Sequence, residues 1–178
     1  TIGGISNNIV TFSGPILLSN TLNVASASTG ANAVTLSGAA SGPGGLTKTG
    51  PGVAVLAAAN TYEGATTVAE GTLRLGASGR IADASALRLT GGRIELNGFS
   101  ETVGTLDVDG TAELDFGAGG TLTCADSSAE TWDGTLILRG WNKGAGRLFV
   151  GDSASLSAAQ LAKITSPIGE TAAQLSTG

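Results

Sequence analysis

Between Gly42 and Gly76 the chain reads GPGGLTKTGPGVAVLAAANTYEGATTVAEGTLRLG, and this close spacing of turn formers constrains the fold more than any other feature. Five short runs, Gly45 to Gly50, Gly52 to Leu56, Asn60 to Tyr62, Gly64 to Val68 and Gly71 to Leu75, alternate their side chains or carry β-branched residues. Glycine and asparagine punctuate them so often that no run is long enough for a helix, so the stretch must turn through short strands. The whole chain agrees: among 178 residues there are 29 Gly, no Met, no His and only 4% aromatics. A core built from Ala, Val, Leu and Thr is narrow, which suits stacked turns better than a bulky sandwich.

The same residues resemble the autotransporter passenger-associated β-strand repeat (passenger-associated transport repeat), whose members read much like GGLTKxGxGxxxLxxxNTYxGxTTVxxGTLxLG. Val34 to Gly38 followed by Ser41 and Gly42 is similar to the usual lead-in to that repeat. The resemblance implies an all-β fold, a right-handed parallel β-helix or β-solenoid, in a secreted protein of the bacterial cell surface. It implies neither an enzyme nor a defined ligand. The right-handed sense is also the default for strand–crossover–strand connections. Beyond the motif, Gly-Thr-Leu or a variant recurs at Gly71, Gly92, Gly104, Gly120, Gly134 and Gly146, at uneven spacings of 12 to 21 residues. Only one full copy is present, and the remaining turns are expected to be degenerate. At ~20 residues per turn the chain has length for roughly eight turns, forming one domain, 1–178. Residues 1–130 are expected to supply the solenoid turns and 131–178 the last strands and a helical cap.

For that cap, Thr131 to Trp141 and Arg147 to Gly151 read as strands, with Trp132, Trp141 and Phe149 as aromatic bulk to plug the open end. Ser157 and Gln160 fit a capping box, Leu156 and Leu161 a hydrophobic staple, and the spacing predicts a short helix over about 157–164, with Leu161 and Ile164 on one face and Pro167 just beyond. The block from Thr131 to Gln174 also resembles the terminal segment of secreted proteins of this family. At the other end, Asn8 to Phe12 and Ile16 to Leu18 read as strands with no cap, leaving a β-edge open to upstream turns or to self-association through edge pairing.

Charge excludes several partners. The net charge is −5 and the nine basic residues are dispersed, Arg74, Arg80, Arg88 and Arg93 forming the densest group, so nucleic acid is not an expected partner. No apolar run approaches the roughly 20 residues of a spanning helix, and this chain is not expected to insert in a membrane. The first residues show neither the charged nor the apolar part of a signal peptide, so targeting is expected to lie in another segment. A single Cys124 within TLTC cannot form an intrachain disulfide and reads as a small apolar strand residue, the alternative being an intermolecular bridge.

Three stretches imitate chemical motifs. GPGGLTKT places Thr47, not Gly, before Lys48, and no helix follows, so it is not a phosphate-binding loop. The acidic run Asp107, Asp109, Glu113 and Asp115 puts two carboxylates on one face of each of two strands. Its plain reading is a solvated face, with Leu106, Val108, Leu114 and Phe116 inward; calcium binding and general acid–base chemistry are the alternatives. Asn60 and Tyr62 invite a sugar-stacking reading, but their expected role is structural, Asn60 holding a turn and Tyr62 covering a corner with its hydroxyl in water. Without His, and with one Cys, Ser-His, Cys-His and transition-metal chemistry lack their residues. No catalytic, cofactor-binding or metal-binding residue is therefore assigned. The function expected is that of a non-enzymatic structural or display module: a stalk, passenger or fibre element. The alternatives are a self-assembling extracellular filament subunit, an adhesin binding glycans or other surface molecules, and a polysaccharide-degrading enzyme on a similar fold.

Overall fold

Strand parity decides the architecture: in run after run, residues at i and i+2 are apolar while their neighbours are polar or small, and short strands of this kind bury one face and wet the other. In the computed structural model, which describes residues 1–4, 9–27, 33–141, 146–150 and 156–167, these runs coil into a parallel β-solenoid. The first turn holds β1 (Ile2–Gly4), β2 (Val10–Phe12) and β3 (Ile16–Leu17); the second holds β4 (Leu22–Ser26), β5 (Ala33–Leu36) and β6 (Ala40–Gly42). The third holds β7 (Leu46–Thr49), β8 (Val53–Leu56) and β9 (Thr61–Tyr62), and the fourth only β10 (Thr66–Val68) and β11 (Thr72–Leu75). The fifth holds β12 (Leu87–Leu89), β13 (Arg93–Glu95) and β14 (Ser100–Val103), the sixth β15 (Leu106–Val108), β16 (Thr111–Asp115) and β17 (Thr121–Cys124). Then come β18 (Thr135–Arg139), β19 (Arg147–Val150), helix α1 (Ala158–Leu161) and β20 (Ile164–Thr165).

Three faces result. The first is a six-stranded sheet, β1-β4-β7-β10-β12-β15; the second is an eight-stranded sheet, β2-β5-β8-β11-β13-β16-β18-β20. The third is divided into two sheets, β3-β6-β9 and β14-β17-β19, because the fourth turn contributes no strand there. All pairings are parallel, and they explain the uneven Gly-Thr-Leu spacing. Gly71, Gly92 and Gly134 precede strands of the long sheet, Gly104 precedes β15 on the first face, and Gly120 and Gly146 precede strands of the third. The tripeptide marks corners rather than turns, so its spacing in sequence mixes three faces. Along the long sheet the partners lie 19 to 28 residues apart, from Val53 opposite Thr72 to Leu136 opposite Ile164. The solenoid has about six turns rather than the eight expected: the first face closes after six strands, and the eight strands of the long sheet include β18 and β20 beyond the sixth turn.

One core runs through the coil, lined by Val24, Leu46, Val68, Leu89 and Val108 from the first face and by Leu36, Leu56, Leu75, Ile94 and Leu114 from the second, all buried. Stacking at about 4.8 Å per turn brings backbones so close that some corners admit glycine alone. At Gly71, with φ +66°, an added Cβ would stand 2.3 Å from the carbonyl oxygen of Gly50.

Several expectations need correction. The helix is one turn, 158–161, not 157–164, because the β-branched pair Ile164 and Thr165 joins the long sheet opposite Leu136 and Ile137. The capping box is present, with the Ser157 hydroxyl accepting from Gln160 N–H and the Gln160 side chain accepting from Ser157 N–H. Of the three aromatics, Trp132 is buried and donates from Nε1 to Leu106 O at 2.9 Å, and Trp141 packs on Phe116 at 5.7 Å. Phe149 instead points outward and is exposed, since it shares an outer column with Thr123 and Thr102. Strands β1 and β4 hold one β-branched residue each, Ile2 and Val24, too few to mark a strand in the sequence. Asn8, Gly151 and residues 168–174 lie outside the described residues.

Candidate functional site

The acidic run is split by the fold. Asp107 lies in β15 on the first face, while Glu113 and Asp115 lie in β16 on the second. Leu106, Val108, Leu114 and Phe116 face the core as expected, yet the carboxylates are not simply solvated. Parallel pairing sets Arg74 opposite Glu95, Arg93 opposite Glu113 and Arg139 opposite Asp115, so opposite charges meet on the outer face of the long sheet. Arg74 meets Glu95 at 2.6 Å, Arg93 meets Glu113 at 2.7 Å and Asp115 at 3.4 Å, and Arg139 meets Glu113 at 2.6 Å. The bond from Arg139, then that from Arg93, holds the Glu113 carboxyl below its usual range. This ladder borders an open cavity of about 490 Å³ lined by Gly71, Gly92, Thr72, Arg93, Thr111 and Glu113 among others.

Asp107 behaves differently. Its side chain is buried, its Oδ2 meets Arg88 at 3.3 Å, and its Oδ1 has no hydrogen-bond partner. Burial first, and then the neighbouring Asp109, hold its carboxyl above the usual range. Among the described residues no group of three or more His, Cys, Asp and Glu is placed to hold a metal ion.

The Asn60 and Tyr62 pair is structural in a way the sequence did not reveal. Asn60 is buried; its Oδ1 accepts from Ala40 N–H at 2.8 Å in the turn before, and its Nδ2 donates to Ala58 O and to Arg80 O in the turn after. Tyr62 is not at a wet corner. It is 1% exposed and its hydroxyl bonds Thr66 Oγ1 at 2.6 Å, which bonds Ser85 Oγ at 2.9 Å, which donates to Gly64 O. Burial pushes the phenol up to about 12, and no ring face is offered to a sugar.

Two buried ionisable groups escaped sequence reading. Lys48 lies inside, its ammonium donating to the carbonyls of Thr49, Gly50 and Glu70 at 2.6–3.0 Å, where it ties the third turn to the fourth. Burial pulls it down to about 8, against the attraction of Glu70. Its signal was available: Leu46 and Lys48 alternate with Thr47 and Thr49, and parity places Lys48 with Leu46. Glu101 is 2% exposed, with Oε2 accepting from Arg80 N–H at 2.8 Å and Oε1 from Ile81 N–H at 3.1 Å. Burial lifts its carboxyl to about 7. Cys124 is a buried free thiol on β17, pushed up to about 12 by burial, as its reading as an apolar strand residue requires. Within a closed core it is out of reach of a partner thiol.

Residues 46–75 match the family model described as Passenger-associated-transport-repeat, which takes in the run from β7 to β11. The chain thus carries one copy of the autotransporter passenger repeat, set in a β-solenoid. No curated protein and no solved structure is similar enough to the chain to match it. No helix among the described residues is long and apolar enough to cross a membrane.

Proposed function

We propose that the chain is a non-enzymatic structural and display module of a secreted, surface-exposed bacterial passenger protein, acting as a spacer. The observation that carries this reading is the eight-stranded parallel sheet, which runs from Val10 to Thr165 and takes in β8 and β11 of the passenger repeat at 46–75 as rungs of one continuous ladder. Residues with chemical potential serve the stacking of the turns: Lys48, Asn60 and Glu101 bond backbone groups of adjoining turns, and Arg93, Glu113 and Arg139 pair across strands of the long sheet. A repeat whose polar groups are consumed in stacking holds shape and leaves the outer loops for display.

A second reading, self-association into filaments, is favoured by one feature. The strands β1, β2 and β3 form the outer edge of all three faces, and Ile9 just before β2 and Leu17 in β3 are 65% and 74% exposed. Negative-stain electron microscopy of the purified chain, with and without calcium and over a range of concentrations, separates the two. Short particles of one size support the spacer; end-to-end filaments support assembly through the N-terminal edge. Saturable binding to a glycan array, abolished by changes at Thr72 and Thr111, would replace both readings with that of an adhesin.

A further inference from the structure

The third face is broken where the other two are continuous. Between β9 and β14 the fourth turn passes through residues 76–86 without forming a strand, while β10 and β11 still pair on both sides with β7, β12, β8 and β13. The join is made by side chains. Among the described residues no backbone–backbone hydrogen bond links 57–65 to 77–84; instead Asn60 Nδ2 donates to Arg80 O at 2.6 Å and Arg80 Nη1 to Ala57 O at 3.2 Å. Toward the fifth turn two backbone bonds, Gly79 N–H to Ser100 O and Gly104 N–H to Ser85 O, are supplemented by the Glu101 carboxylate on Arg80 and Ile81 N–H and by Ser78 Oγ accepting from Ser100 N–H. Ile81, Ala82 and Ser85 fill the core beneath.

A ladder of backbone bonds resists opening cooperatively, because each strand is held along its length by both neighbours. A joint of a few side-chain bonds resists it only locally, and segments of this kind open at lower free energy than the elements around them. We infer that the fourth turn is a flexure joint of the rod, with the third face opening at 77–84, between the backbone bonds of Gly76 to Leu56 and of Thr66 to Ala86, while the sheets of the first and second faces act as unbroken straps. Asn60 and Glu101 are its two clasps, one from each side, and both close on Arg80. The joint belongs to the solenoid itself and holds whatever the rod carries.

Hydrogen exchange followed by mass spectrometry tests the opening, and paired spin labels test the bending. In the unaltered protein, amides of 77–84 should exchange at least ten times faster than those of β14 and β17 on the same face. Asn60→Ala should raise exchange further at Ala40 and across 77–84 and leave β17 unchanged. Should that variant fail to fold, the comparison within the unaltered protein still decides. For bending, labels at Ser41→Cys and Thr123→Cys in a Cys124→Ala background span the break on the third face over four turns, roughly 19 Å at 4.8 Å per turn. A control pair at Thr35→Cys and Asp115→Cys spans four turns of the long sheet. A broader distance distribution for the first pair than for the second supports the joint. Equal protection of 77–84 and β17, an Asn60→Ala effect spread evenly along the rod, or equally narrow distributions would each overturn it.

Discussion

Lys48 and Arg93 are both long cations on short parallel strands, and they sit on opposite sides of the wall. Lys48 follows the inward parity of Leu46, loses its water, and replaces it with three carbonyl oxygens of the corner. Arg93 follows the outward parity of Thr72 and meets Glu113 and Asp115 in partial exposure. The inward cation is therefore a fastener of its corner, whereas the outward one belongs to a ladder that Arg74, Glu95, Glu113, Asp115 and Arg139 share. The difference teaches where polar chemistry counts in this rod: a buried group whose partners are left unmade is expensive, and an exposed ion pair is worth little.

The sharpest way to break that comparison is Lys48→Met, which keeps length and removes the donor. Three carbonyls then lose their partner in a site water reaches poorly. A loss of about 3 kcal/mol is expected, on the scale for orphaning buried hydrogen-bonding groups, read as a lower denaturant midpoint. A loss under about 0.5 kcal/mol would mean that the corner is hydrated and that Lys48 is no fastener.

Glu101 supplies the next effect through pH. Burial lifts its carboxyl from 4.5 in the unfolded chain to about 7, while the N–H groups of Arg80 and Ile81 and the charge of Arg80 oppose the lift and Asp83 adds to it. An acid whose folded value is raised gives stability fully present below pH 4.5 and lost as pH rises through 7. The fall should be at most about 3 kcal/mol at 1.36 kcal/mol per pKa unit, with Asp107, also raised, contributing in the same direction. Stability measured from pH 4 to 8 should decline in the unaltered protein and decline less in Glu101→Gln. Parallel pH profiles for the two proteins would remove Glu101 as the source.

The sequence announced the solenoid because its evidence is local: parity within each run, and glycine or asparagine at each corner. Leu46 to Leu75 could be read strand by strand, and the Ser157–Gln160 box marked the start of the helix correctly. What stayed hidden depends on which residues stack across turns. Glu113 and Asp115 looked like a candidate site until register set Arg93 and Arg139 beside them, and register follows from corner lengths that sequence spacing does not reveal. Tyr62 looked like a wet corner because its partners Thr66 and Ser85 come from later in the coil. Ile164 continued a helical pattern, and only the free edge of β18 drew it into the sheet.

Smaller effects sharpen the inside–outside distinction. Tyr62→Phe removes one hydroxyl from the buried chain but leaves Thr66 bonded to Ser85, so one bond's worth, about 1 kcal/mol, is expected. Arg93→Ala breaks two ion pairs on the long sheet, yet Glu113 keeps Arg139 and Asp115 turns to water. Its cost should stay below about 1 kcal/mol and shrink as salt is added, because exposed pairs are screened and repay little of their ordering entropy. Denaturant midpoints at low and high salt check this directly: Arg93→Ala should be salt-sensitive and small, and Tyr62→Phe salt-independent and larger. If Arg93→Ala proved the costlier change, the outer ladder rather than the buried fasteners would be holding the turns in register.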